Sequence, residues 1–198
     1  MRILALVLCL LTYAGCAQAQ QESTVYTTTE GIIQTAAGAS VVVNDYKGTG
    51  LNFRLNFGQA TAVATDRPLL YLVNDLMLQA IVVPAEHFQA ATPQQTLQGY
   101  IAHEAEYLNE AIGHPVVPKV ETVRLSKTQT AELWTYPMPA GMNEEVTQQI
   151  FLNFLHGEFI IGLGSAQYKG QSPAAIRTLL LTTARSMVFS PSPLPTDK

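Results

Sequence analysis

Short apolar runs, each closed by turn residues, recur along this chain and commit it to a sheet-based fold. In residues 51–57, Leu51, Phe53, Leu55 and Phe57 alternate with Asn52, Arg54 and Asn56. A period of two is the mark of a strand with one buried face. Apolar runs at 69–73 and 76–83 flank Asn74-Asp75. Asn and Asp tolerate the positive φ of a two-residue turn, so this pair reads as a hairpin. Pro84 ends the second run, because it cannot donate to a ladder. Runs at 146–155 and 158–163 meet at His156-Gly157, a second hairpin signal. Further strands are expected at 41–43, 120–125 and 132–136. Strands joined by such short turns are antiparallel.

Two helices complete the pattern. Residues 92–113 carry the clearest punctuation: Thr92 as N-cap, Pro93 at the first helical position, and Gln95 where a capping box places Glu or Gln. Gly113 and Pro115 mark the stop. At about 100° per residue, Leu97, Ile101, Ala105, Leu108 and Ile112 form one apolar stripe. Ser172 and Pro173 open a second helix, with Ile176, Leu179, Leu180, Ala184 and Met187 on its stripe. The expected fold is α+β: a mainly antiparallel sheet flanked by two amphipathic helices. Its organisation is read as a signal peptide at 1–19, a flexible lead-in at 20–40, one domain at 41–190 and a disordered Pro-rich tail at 191–198. Within the lead-in, Gly31-Ile32-Ile33 is a candidate start for an edge strand. The tail, SPSPLP, reads as a frayed terminus, with an SH3-type ligand as the alternative.

The signal peptide rests on Arg2, an apolar run from Ile3 to Leu11, and Ala17-Gln18-Ala19 as a cleavage site. That run is too short to span a membrane. A second reading takes Ala14-Gly15-Cys16 as the end of a lipobox, with Cys16 acylated. Tyr13 stands where such a motif wants Leu, Val or Ile. Secretion to the periplasm or beyond, and anchoring through Cys16, both stay open. Both cysteines, Cys9 and Cys16, precede the cleavage site. A cleaved chain therefore has no disulfide, Cys-based zinc site or cysteine nucleophile, and relies on core packing.

Charged residues make up only 13% of the chain, against roughly 25% in an average protein. Solubility thus falls to Thr, Gln, Asn and Ser. Basic residues stand singly, and the formal net charge is −4. The basic face that nucleic acid requires is missing, and attraction to anionic membranes is weak for the same reason.

The densest group of chemistry-bearing side chains is HEAEYLNEAIGH, residues 103–114. His103, Glu106 and Glu110 share one helix face, opposite the apolar stripe. They are an acceptable ligand set for zinc or another divalent ion, and equally a solvated face. The H-E-x-x-H motif fails, because Tyr107 stands where its second His belongs. A covering loop that adds His87 or His114 would favour the metal reading. GLGSAQ, residues 162–167, lacks the third Gly of a dinucleotide loop and does not match G-x-S-x-G, so Ser165 reads as a turn residue. Glu144-Glu145 point apart as loop neighbours. Trp134 and Tyr136 share one strand face, as core or as an aromatic binding patch. No catalytic residue and no cofactor is assigned.

The order of elements resembles the PsbP-like fold, a family that includes DcrB-type bacterial envelope proteins. The resemblance lies in IVVPAEHF, TPQQTLQGYIAHEAEYL, VETVRLSKTQTAELWTY, QIFLNFLHGEFIIGLG and SPAAIRTLLLTTARSM. It implies an antiparallel sheet with flanking helices and a non-catalytic accessory role exercised on protein partners. The leading expectation is therefore an exported accessory or binding protein of the cell envelope, with an unknown protein partner there. One alternative is a metal-binding protein or metal-dependent hydrolase using His103, Glu106 and Glu110. Another is a carrier for a small apolar ligand, which a hollow core would favour.

Overall fold

The computed structural model describes residues 28–139 and 141–196. Its elements run, in order, β1 (Thr29–Thr35), β2 (Gly38–Asn44), β3 (Asn52–Asn56), β4 (Ala62–Ala64), β5 (Leu70–Val73), β6 (Leu76–Pro84), α1 (Pro93–Ile112), β7 (Lys119–Arg124), β8 (Thr130–Pro137), β9 (Val146–His156), β10 (Phe159–Tyr168), α2 (Pro173–Ser186) and β11 (Val188–Ser190). The fold is α+β, and its paired strands are mainly antiparallel. Among the described residues, no helix is long and apolar enough to cross a membrane.

Where one domain is expected at 41–190, the chain gathers into two compact units. One comprises Ala80–Ile176; the other joins the described residues up to Gln79 with those from Arg177 onward. In the first, the strand order is β6-β10-β9-β8-β7. The face that receives α1 carries Trp134 and Tyr136 from β8 and Phe151 from β9, with Ile81 from β6 and Ile160 from β10 in the same core. Gly162 and Gly164 on β10 make room for that layer. A Cβ on Gly164 would sit 2.8 Å from the Phe151 ring, and one on Gly162 would sit 2.7 Å from the Asn153 amide. Such close approach is what glycine supplies in a strand interior.

The punctuation of α1 acts as expected. The Thr92 hydroxyl accepts from the Gln95 N–H at 3.2 Å, and Gly113, at φ 70°, donates to the Asn109 carbonyl at 2.9 Å. Thr92→Ala is expected to cost about 1 kcal/mol, read as a lower urea midpoint with an unchanged slope.

In the second unit, one sheet runs β1-β2-β3-β11, and β4 and β5 pair beside the first part of β6. Asn74 and Asp75 take φ 46° and 64° in the β5–β6 turn, the two positive values a type I′ hairpin requires. The β9–β10 turn is displaced by one residue from its expected place. His156 pairs with Phe159, so Gly157-Glu158 make the turn, with Gly157 at φ 56°.

Both ends carry ordered structure, and the edge strand anticipated at Gly31-Ile32-Ile33 is present. The lead-in to residue 40 holds a complete strand, β1, in register with β2, Ile32 opposite Val41. The Glu30 carboxylate fixes it from the side, accepting from the Tyr71 hydroxyl at 2.7 Å and the Leu69 N–H at 3.1 Å. The Pro-rich tail is likewise fastened over its described part, to residue 196. Leu194 donates to Asn44 Oδ1 at 2.7 Å, and Asn44 Nδ2 returns a bond to the Leu194 carbonyl at 2.8 Å. Asn52 Nδ2 holds the Ser190 carbonyl at 3.3 Å, and Asn56 bonds Ser186 in both directions. A row of asparagines on β2 and β3 takes up the polar backbone that the tail would otherwise offer to water.

Candidate functional site

Helix α1 presents two very different faces. His103, Glu106 and Glu110 are exposed, together on the outer side as their spacing predicts. The three-ten turn Ala85–Phe88 packs on the helix through Phe88, whose ring lies 5.3 Å from Tyr100 and 5.5 Å from His103. His87, on the same turn, is exposed and lies 3.4 Å from the Glu86 carboxylate. Glu110 and His114 line a shallow depression at the helix end with Asn109, Gly113 and Pro115. Among the described residues, no three His, Cys, Asp or Glu side chains are grouped as metal ligands would be.

The inner face holds a residue that the sequence reading passed over. Glu104 is 5% exposed, three residues after Ile101 and four before Leu108, and so stands on the apolar stripe. One of its carboxyl oxygens has no hydrogen-bond partner in the protein. Burial pushes its pKa from 4.5 up to about 7, with no neighbouring charge contributing. A carboxyl taken from water without a partner favours its neutral form, and this is the physical cause. Facing it from β8 is Tyr136, whose hydroxyl is also unpartnered. Burial, and then the charge of Glu104, raise the Tyr136 pKa. Opposite Tyr136 on β9 is Gln149, fully buried, with its carbonyl oxygen unpaired. Three unsatisfied polar groups from three elements thus belong to one packed layer.

Trp134 and Tyr136 are core residues. Trp134 is 1% exposed and stacks on Phe151 with centroids 4.5 Å apart, while its Nε1–H donates to Asn153 Oδ1 at 2.6 Å. Ser165, expected in a turn, lies buried inside β10, because that strand continues to Tyr168. His156 ends β9 half-buried, and burial lowers its pKa. Glu144 and Glu145 are exposed, and Glu145 lies 4.0 Å from Lys169. Cys16 and the cleavage site lie outside the described residues.

An apolar surface stands apart from α1. Val63 on β4 is 59% exposed and faces Leu72 on β5, 38% exposed. Leu72 in turn faces the half-buried Met77 on β6. Directly opposed residues share a sheet face, so the three side chains form one row. The other face of these strands buries Tyr71, Val73 and Leu78. Period-two alternation predicts polar residues on an exposed face, and this row departs from it.

No protein-family model matches the chain, and no curated protein matches it. Among solved structures, the chain is similar to the solution structure of cyanobacterial PsbP (CyanoP) from Synechocystis sp. PCC 6803, with 13% sequence identity, a TM-score of 0.46, and coverage of 87% of this chain and 98% of that chain.

Proposed function

We propose that this chain is an exported, non-catalytic accessory or binding protein of the cell envelope that acts by contact with another protein. The observation that carries this reading is the Val63–Leu72–Met77 row. Apolar side chains that meet across three strands and face water gain free energy when a partner covers them, at roughly 25 cal/mol per Å² buried. The N-terminal pattern of Arg2, apolar run and Ala17-Gln18-Ala19 supports export. Acylation of Cys16 would add a lipid anchor.

The test is site-specific crosslinking in the native host. A photoreactive residue at position 72 is expected to give a discrete protein adduct, and one at the exposed position of Gln59 is expected to give none. Val63→Glu should abolish the adduct, since a carboxylate must be desolvated to enter an apolar contact. Equal yields from both positions would end the proposal.

A further inference from the structure

We propose that Glu104 is a pH sensor built into the seat of α1: neutral, it lets the helix dock on the sheet; ionised, it loosens that docking. The geometry states the conflict. Glu104 enters the contact between α1 and the sheet from the middle of the stripe formed by Leu97, Ile101, Leu108 and Ile112. Its charge acts on Tyr136, which shares a core with Trp134 and Phe151, and no cation contributes to its own shift. No neighbouring charge contributes at Glu104; on β7, tied to α1 by the Gln94–Thr122 bond, Lys119, Glu121 and Arg124 are exposed, as is His114 just past the helix. From β8 come Tyr136, a phenol, and Glu132, a carboxyl already bonded by the Thr122 hydroxyl at 2.8 Å. From β9 come Gln149 and Asn153, both uncharged. From the turn before α1 come Glu86 and His87, exposed and near each other.

Ionisation therefore places a bare charge against apolar rings, and the helix relieves it by moving Glu104 toward water. The direction in pH follows. The docked state raises the Glu104 pKa from 4.5 to about 7, so it binds the proton more tightly than the undocked state does. Docking is at full strength at acid pH and weakens as pH rises through that window, about tenfold in the docking constant per pH unit. Above the upper value the loss is complete and flat.

The experiment uses the full chain. Carboxyl NMR on glutamate-labelled wild type should show Glu104 titrating near neutrality. A midpoint close to 4.5 would overturn the proposal without any variant being made. Hydrogen exchange then reads the docking itself. After correction for intrinsic rates, protection of the α1 amides should fall about tenfold per pH unit between about pH 5 and about pH 7. In Glu104→Gln, which keeps the shape and removes the charge, it should stay level. Parallel wild-type and variant profiles would refute the mechanism.

Discussion

Gly38→Ala is expected to be the most damaging single-methyl change in this protein. Gly38 holds φ at 131°, a region essentially closed to side-chain-bearing residues. A Cβ there would lie 1.4 Å from the Gly58 carbonyl oxygen. That oxygen is backbone and accepts from the Ala39 N–H at 3.0 Å, while the neighbouring Phe57 N–H donates to the Ala39 carbonyl at 2.9 Å. No rotamer change relieves the clash. The chain must give up these bonds and the left-handed turn together, on the order of 3–5 kcal/mol. Gly58→Ala is the control. Its φ is 61° and a Cβ would meet nothing within 4 Å, so only the conformational cost of about 1 kcal/mol applies. Urea denaturation of both variants decides the matter, and equal losses would contradict the close approach described.

Trp134→Ala is expected to cost about 3–5 kcal/mol, because it empties the centre of the aromatic layer and strands the Asn153 amide oxygen. Trp134→Phe separates the two effects. It preserves a ring against Phe151 and removes only the donor held at 2.6 Å. The remaining loss should be about 1–3 kcal/mol, the penalty for one buried unpaired acceptor. Circular dichroism during thermal unfolding measures both, since Trp134 is the chain's one tryptophan and its fluorescence disappears with it. An aromatic binding patch would have given the opposite result: intact stability and lost association.

Features written in local chemistry were legible beforehand. Thr92, Pro93 and Gly113 set both ends of α1 within its own sequence, and Asn74-Asp75 set a hairpin. The same wheel that placed His103, Glu106 and Glu110 outside also places Glu104 inside. A carboxyl standing alone among apolar neighbours forms no cluster and so matches no motif. The attachment of β11 and the tail to the sheet of β1, β2 and β3 was not legible. Their attachments join residues 130 to 150 positions apart, and no local periodicity encodes such a pairing. The exposed Val63 and Leu72 were hidden for a related reason. Strand spacing tells which residues share a face but not which face is covered.

The asparagine row that fastens Leu194 and Ser190 has a consequence for biogenesis. Those partners lie 150 and 138 positions after the asparagines that hold them, so the sheet that contains β3 must wait for that later stretch of chain before it can close. Until then the edge of β3 stays open to whatever else could pair with it, a delay that long-range strand pairing imposes on folding.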